Sequence, residues 1–249
     1  MKYGRPDKEF LRWRWNPAAC ELLRFDAAWF LEVIRGKSMA FIGDSLARNH
    51  MQSLIHLQHH GRGLQAHALQ PIVLYNFTLS IFWSPFLVKA AESDADGPNH
   101  TGLWDLFLDE PDDRWAPHVA AFDYLIISGG NWFTRPALFY EKKTLVGCHY
   151  CLRPNVSDLT LRYSHLSLSH FENGEWNKGG DCVRRRPFRA RERRVDGLEL
   201  EMYEVQVEEF RETERRGRGR LMDVTTAIVL RADGHPSRYG HWEHAEVTL

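Results

Sequence analysis

The tripeptide Gly43-Asp44-Ser45 is the part of the sequence whose residue types and position best fit nucleophilic chemistry. It follows the apolar segment 37–42, which predicts a buried strand, and precedes 46–60, whose apolar spacing predicts a helix. A serine at a helix N-terminus lies near free backbone N–H groups, which stabilise the negative charge that develops in acyl transfer. The alternative is that Asp44 or Ser45 only caps the helix, because both residue types are favoured there.

Two further segments contain groups that acyl transfer would use. Gly129-Gly130-Asn131 ends an apolar strand, so its N–H groups and the Asn131 amide are candidate oxyanion donors. An ordinary strand-ending turn is the alternative. The loop 233–242 follows the last predicted strand and combines carboxylate, imidazole and aromatic groups, and its candidate acid–base residues are Asp233, His235 and His241. A structured surface loop is the alternative there.

The elements that must position these groups alternate between strands and helices. Besides 37–42, apolar patterning predicts strands over 71–74, 78–83, 122–127 and 220–224. Helices are predicted over 26–35, with Asp26 as its cap, 46–60 and 198–216. In open α/β sheets, reactive groups gather at the carboxyl ends of the strands. The sequence therefore predicts a three-layer α/β domain with a mainly parallel central sheet.

Length and composition bound the organisation of the chain. The 249 residues, 43% of them hydrophobic, predict a single globular domain over 26–249 after an irregular lead-in over 1–25. The net charge of -1 gives no reason to expect nucleic acid or an anionic membrane as a partner, and the basic run 184–194 is predicted to be a solvated loop. No apolar stretch reaches the roughly 18 residues that a membrane helix needs, and the N-terminus lacks the pattern of a secretory signal.

Sequons and cysteines indicate the secretory lumen. Asn-x-Ser/Thr sequons begin at Asn76, Asn99 and Asn155, although so short a pattern also arises by chance. No second Cys-x-x-Cys accompanies the pair at 148 and 151 to complete a zinc site, so no metal is predicted and two disulfides are favoured over metal or redox chemistry. The four cysteines concerned are Cys20, Cys148, Cys151 and Cys182.

A family resemblance rests on five motifs that follow one another along nearly the whole chain. They are Arg35-Gly36-Lys37-Ser38, Gly43-Asp44-Ser45-x-x-Arg48-Asn49, Trp132-Phe133-x-Arg135-Pro136, His170-Phe171-Glu172-Asn173-Gly174 and Asp233-Gly234-His235-Pro236-Ser237. Together they resemble the plant trichome-birefringence-like (PC-esterase) family. The resemblance implies an SGNH/GDSL-like fold and transfer of acetyl groups onto hydroxyls of cell-wall polysaccharides. It implies no bound cofactor, but an acetyl donor, acetyl-CoA or another, is required.

The resemblance also implies roles and a location. Ser45 takes the nucleophile role, and the candidate oxyanion or substrate residues are Gly43, Asp44, Arg48, Asn49, Gly130 and Asn131. The motif at 132–136 resembles the version found in the family branch whose members act on xyloglucan or mannan, so xylan is the less expected substrate. Members of the family reside in the Golgi through an upstream type II membrane anchor.

The chain departs from the family pattern near its C-terminus. The family has its catalytic Asp and His in an Asp-x-x-His motif, which this sequence lacks, so Asp233, His235 and His241 are stand-in candidates only. The anchor, a helix and strand between 163 and 170, and the usual partner of Cys182 are also missing relative to the family. These departures predict a truncated member with an exposed sheet edge and exposed apolar surface.

Two alternatives to an O-acetyltransferase stay open. A carbohydrate acetylesterase of the same fold would use water as the acceptor, and only acceptor dependence separates the two. The other alternative is a catalytically inactive, polysaccharide-binding product, because a serine without a correctly placed base is a poor nucleophile.

Overall fold

The computed structural model of the protein falls into two compact units, residues 24–166 and residues 1–23 with 167–249. The predicted lead-in over 1–25 ends close to this boundary, and the single domain over 26–249 stays a prediction. The residues that the structure describes are 8–17, 20–59, 72–74, 76–93, 102–129, 131–150, 156, 170–174, 178–217 and 219–234.

The unit 24–166 contains two four-stranded sheets. Among its described residues the helices are α1 (Ala27–Val33) and α2 (Ser45–His59), with short 3-10 helices over Ala116–Ala121 and Asn131–Thr134. Its strands are β1 (Ser38–Gly43), β2 (Ile72–Leu74), β3 (Phe77–Trp83), β4 (Val88–Glu92), β5 (Trp104–Pro111), β6 (Tyr124–Ser128), β7 (Ala137–Glu141) and β8 (Thr144–His149).

The first sheet, in the order β2-β3-β1-β6, is the one that the sequence predicted. Strand β1 pairs in parallel with β3 and β6, and β2 joins the outer side of β3 antiparallel. The predicted α/β class and the strands and helices of this region are confirmed, because long apolar segments and the Asp26 cap mark them clearly. Asp26 Oδ1 accepts the N–H groups of Ala28 and Trp29, both at 3.0 Å, which fixes the start of α1.

One hydrophobic core lies between this sheet and its helices. Met39 and Phe41 point to the same face of β1, since successive side chains of a strand alternate between faces. They pack with Met51 and Ile55, which lie one turn apart on α2, and with Leu31 of α1. The strand that carries the nucleophile turn is therefore fixed by burial, with Ala40 and Ile42 fully enclosed.

The second sheet, in the order β4-β5-β7-β8, was not predicted. Strands β4 and β5 mix apolar with charged residues, as in Trp104–Pro111, and Leu106 is the one fully buried residue of β5. Its small core contains Phe86, Leu106 and Phe139. The prediction missed β4 and β5 because it relied on continuous apolar runs, and it overlooked the apolar run 137–140 of β7.

Strand β6 is the outer strand of the first sheet in the part of the chain that the structure describes. Tyr124, Leu125 and Ile127 of this strand are exposed by 43%, 43% and 49%. This surface corresponds to the exposed apolar sheet edge that the departures from the family pattern predicted.

The other unit contains a 3-10 helix over Glu9–Arg12 and helices α3 (Gly197–Arg215) and α4 (Thr225–Val229). The predicted helix over 198–216 is confirmed, and the predicted strand over 220–224 is wrong. Asp223 prevents an extended strand there: its carboxylate accepts the Thr225 N–H at 3.0 Å and the Tyr203 hydroxyl at 2.5 Å, which turns the chain into α4. None of the described helices is long and apolar enough to cross a membrane.

Candidate active site

The turn between β1 and α2 requires glycine at position 43. Gly43 has a φ of 145°, and a Cβ there would lie 1.9 Å from the carbonyl oxygen of Ser128. Strands β1 and β6 approach each other closely at this point, since Gly43 and Ser128 are register partners. Any side chain at position 43 would force the carboxyl ends of the two strands apart.

Asp44 caps α2, and Ser45 is the first residue of the helix. The Asp44 side chain is fully buried, and its Oδ1 accepts the Leu46 N–H at 2.8 Å. The capping alternative therefore holds for Asp44. Ser45, at the helix N-terminus, is not needed as the cap. The Ser45 side chain is half-buried, and within the described ranges no hydrogen bond engages its Oγ. A hydroxyl in this place is accessible and lies at the positive end of the helix dipole.

The peptide bond between Gly43 and Asp44 is held from both sides. The Gly43 carbonyl accepts the Ser84 N–H at 2.9 Å, and the Asp44 N–H donates to the Ser128 carbonyl at 3.3 Å. These bonds continue the sheet by one residue beyond β1. They fix the direction in which the chain enters α2 and so the place of Ser45.

A buried hydrogen bond between Ser84 and Asp112 supports this arrangement and was missed in the sequence. The Ser84 hydroxyl donates to Asp112 Oδ2 at 2.7 Å, and the two residues are exposed by only 0% and 6%. Asp112 Oδ1 accepts the Arg114 N–H at 2.9 Å. Ser84 directly follows the predicted strand 78–83, so the strand-end rule could have found it, whereas Asp112 follows β5, which had no recognisable pattern.

Guanidinium and indole groups flank the nucleophile turn. Arg48, three residues after Ser45, lies 5.5 Å from the ring centroid of Trp83, the register partner of Gly43. Trp83 meets Trp132 edge to face at 5.8 Å, and Arg135 lies 4.0 Å from the Trp132 ring. Asn49, the next residue predicted to contact substrate, is exposed on α2 beside Arg48.

The predicted oxyanion segment 129–131 starts beside the nucleophile turn. A Cβ on Gly129 would lie 3.5 Å from the Cα of Gly43, so the two strand ends meet as the sequence predicted. Asn131 begins the 3-10 helix that follows β6. Gly130 and the Asn131 side chain lie outside the described residues, so their oxyanion role stays a prediction.

The predicted acid–base loop is described only up to Gly234. The Asp233 carboxylate forms two hydrogen bonds with the Arg231 guanidinium, at 2.7 and 2.5 Å. A Cβ on Gly234 would lie 2.6 Å from the ring of His170, whose Nε2 lies 3.0 Å from the Ile228 carbonyl. Asp233 is thus engaged by Arg231, and His235 and His241 lie outside the described residues.

His50 is a titratable group close to the nucleophile turn that the sequence did not single out. Desolvation lowers the pKa of its imidazole, and the negative charge of Asp44 opposes this change. The neutral imidazole is therefore favoured near pH 7.

The predicted framework of two disulfides is not confirmed. The thiol of exposed Cys20 is free, and Cys182 is buried. Among the residues that the structure describes, no three His, Cys, Asp or Glu side chains are grouped to hold a metal ion.

Comparisons with known proteins place the chain in a family. The model of PC-Esterase, a GDSL/SGNH-like acyl-esterase family found in Pmr5 and Cas1p, matches residues 22–165 and 160–248. Protein trichome birefringence-like 19 of Arabidopsis thaliana is 43% identical, across 100% of this chain and 68% of its own length. Protein trichome birefringence-like 20 of the same plant is 41% identical, across 100% of this chain and 60% of its own length.

Xyloglucan O-acetyltransferase 4 of Populus trichocarpa is 36% identical, across 96% of this chain and 66% of its own length. The chain therefore spans roughly two thirds of the length of these relatives. The family model and the relatives together cover the nucleophile turn, both sheets and the second unit. The chain belongs to the PC-Esterase family of GDSL/SGNH-like acyl-esterases.

Proposed function

We propose that the protein is an O-acetyltransferase that moves acetyl groups onto hydroxyls of a cell-wall polysaccharide through an acetyl-Ser45 intermediate. The observation that carries this proposal is the Ser45 hydroxyl itself. It is the first residue of α2, it follows a glycine that no other residue can replace, and the described part of the chain leaves its Oγ without a hydrogen bond. The names of relatives favour xyloglucan as the acceptor, and the resemblance of the motif at 132–136 adds mannan, so xylan is less expected.

The first half-reaction acetylates the serine. Ser45 Oγ attacks the acetyl carbonyl carbon of the donor while its proton passes to a histidine base, and His235 and His241 are the candidates for that base. Backbone N–H groups at the N-terminus of α2, with Asn131, stabilise the oxyanion. The bond to the donor's leaving group then breaks, and the leaving group takes the proton from the histidine.

The second half-reaction transfers the acetyl group. A sugar hydroxyl gives its proton to the same base and attacks the acetyl carbon, and Ser45 leaves with the proton restored. The donor is acetyl-CoA or another activated acetyl compound. We place the reaction in the Golgi lumen, and the exposed position of the Asn76 sequon is compatible with glycosylation there.

Intact mass spectrometry after incubation with a chromogenic acetyl ester tests the proposal. Wild type should gain one acetyl group, Ser45→Ala should gain none, and Ser53→Ala, which alters an exposed serine of the same helix, should behave as wild type. Xyloglucan or mannan oligosaccharide should discharge the adduct faster than water does. A folded wild type that acquires no adduct would overturn the proposal and favour an inactive, polysaccharide-binding protein.

A carbohydrate acetylesterase is the second candidate, because the family description names acyl-esterases. Both enzymes would form the same acetyl-serine, so adduct formation does not separate them. If water discharges the adduct as fast as any oligosaccharide, and acetylated polysaccharide is a substrate, the esterase is the correct function.

A further inference from the structure

A run of arginines in the second unit concentrates positive charge on a chain that is nearly neutral. Residues 184–194 contain seven arginines and one glutamate, whereas the whole chain has a net charge of -1. The sequence predicted a solvated loop. The structure confirms a mostly exposed loop and adds that both its backbone and its side chains bind neighbouring residues.

Phe188 anchors the middle of this arginine run. Its side chain is exposed by only 6%, and its N–H donates to the Leu230 carbonyl at 2.9 Å. The Arg184 guanidinium lies 4.4 Å from the centre of the Phe188 ring. Arg184 also binds the Glu172 carboxylate through two nitrogens, with a shortest distance of 2.7 Å. These contacts tie the run to a buried ring and to a neighbouring segment.

Glu192 closes the run into a turn. Its two oxygens accept hydrogen bonds from Arg186 at 2.7 and 2.6 Å, and one of them also accepts the Arg189 N–H at 2.7 Å. These hydrogen bonds, chiefly those from Arg186, lower the pKa of Glu192 to about 2. Two of the seven arginines thus use their charge to hold the segment in place.

Four other arginines of the run form no such ion pair among the described residues. Their side chains are exposed, and no carboxylate lies within ion-pair distance of them in the described part of the chain; they are Arg185, Arg189, Arg191 and Arg194. A guanidinium presents a planar fork of N–H donors that matches a carboxylate, so four of them on one fixed turn form a surface for several carboxylates.

We propose that the arginine run is a binding surface for an acidic polysaccharide, with Arg185, Arg189, Arg191 and Arg194 as the contacts to its uronate carboxylates. The run exposes no aromatic ring that could enter a bilayer or stack on nucleic-acid bases, because its one aromatic residue, Phe188, is buried. The preference for a polysaccharide over an acidic peptide rests on the proposed function, whereas the uronate is inferred from the four guanidinium groups alone, because the proposed acceptors are neutral. The binding itself does not require Ser45 chemistry.

Calorimetric titration with polygalacturonate oligosaccharide tests the surface, using the full chain with Ser45→Ala as the background. The variant R185Q/R189Q/R191Q/R194Q should lose affinity by at least about tenfold, since each exposed contact contributes a few tenths of a kcal/mol. The matched control R12Q/R35Q/R215Q/R216Q removes the same charge from exposed arginines that already pair with carboxylates, and it should stay within about twofold of the background. Raising the salt concentration should weaken binding in the background and the control.

Three results would overturn the proposal. The two quadruple variants could lose affinity equally, which would show a response to overall charge alone. Polyglutamate or vesicles that contain phosphatidylserine could bind more tightly than polygalacturonate. Neutral xyloglucan oligosaccharide could depend on the four arginines as strongly as polygalacturonate does. If circular dichroism shows that the quadruple variant is unfolded, the pairs R185Q/R189Q and R191Q/R194Q decide the question. Because Ser45 is absent throughout, failure here is separate from failure of the acetyl transfer.

Discussion

Two turns of the protein have similar residues, but their side chains make different contacts. The first, Gly43-Asp44-Ser45, and the second, Asp233-Gly234, each combine an aspartate with a glycine that has no room for a side chain. In the first turn the aspartate caps helix α2 by accepting the Leu46 N–H, and the serine hydroxyl remains accessible. In the second turn Arg231 engages the aspartate, and the residues after Gly234 lie outside the described part of the chain. The comparison shows that an accessible nucleophilic side chain distinguishes a reactive site, whereas a glycine without room for a Cβ does not.

Gly43→Ala should have the largest effect. The new Cβ would meet the backbone oxygen of Ser128 at 1.9 Å, and neither strand can yield without breaking the sheet. We expect the free energy of unfolding to fall by about 3 kcal/mol or more, with acetylation of Ser45 lost. Urea denaturation and intact mass measure the two effects. A stable, fully acetylated variant would show that the turn is less constrained than the structure indicates.

Ser84→Ala tests whether the nucleophile turn depends on its buried support. The substitution removes the hydroxyl that donates to Asp112 and leaves a buried carboxylate without one partner. We expect a loss of about 1–3 kcal/mol in the free energy of unfolding and slower acetylation of Ser45. Ser80→Ala, in the same strand β3, removes a hydroxyl with no hydrogen bond among the described residues and is the matched control.

Asp233→Asn tests the other turn directly. The change weakens the paired hydrogen bonds with Arg231, so the free energy of unfolding should fall by about 1 kcal/mol. Because Arg231 already engages the carboxylate, the rate of Ser45 acetylation by a chromogenic ester should stay close to wild type. A rate that falls far more than stability would instead make Asp233 a catalytic residue and remove the distinction between the two turns.

Gly234→Ala should have a smaller effect than Gly43→Ala. The added Cβ meets the His170 ring at 2.6 Å, and a side chain can move where a backbone oxygen cannot. We expect a loss of about 1 kcal/mol in the free energy of unfolding, as for other modest steric changes, with no change in acetylation. Equal losses for the two glycine variants would contradict the contrast between a backbone and a side-chain obstacle.

Acid should weaken the unit that contains the Asp233 turn, because carboxylate–guanidinium pairs hold it together. The pKa of Glu192 is lowered from 4.5 to about 2, so the stabilisation that it provides is present above about pH 4.5 and is lost as the pH falls towards 2. Arg184 lowers the pKa of Glu172 in the same direction. Thermal unfolding between pH 7 and 2 should show a shallower decline for Glu192→Gln than for wild type, and parallel curves would contradict this.

How far the sequence predicted the structure depended on the kind of strand. Continuous apolar segments predicted β1, β3 and β6 well, and such a segment marks a strand even where it lies at the edge of the described sheet, as the exposed side chains of β6 show. Strands β4 and β5 were missed because they mix charged with apolar residues, whereas the apolar run 137–140 of β7 was overlooked. The segment 220–224 was wrongly assigned as a strand because local hydrogen bonds of Asp223 override its apolar pattern. The same holds for the site residues. Ser45 was predicted because the strand before it and the helix after it were predicted, whereas Asp112 was missed because strand β5 was missed.

The sequence by itself determined the reactive turn, since Gly-Asp-Ser between a buried strand and an amphipathic helix specifies a serine at a helix N-terminus. It also determined the family, through motifs in order along the chain. Only the tertiary structure decided which polar groups are available. The pairing of Ser84 with Asp112, of Arg231 with Asp233 and of Arg186 with Glu192 depends on distances between side chains, and spacing along a sequence does not fix those distances. The availability of Ser45 and of the four arginines that pair with no carboxylate among the described residues follows from those pairings.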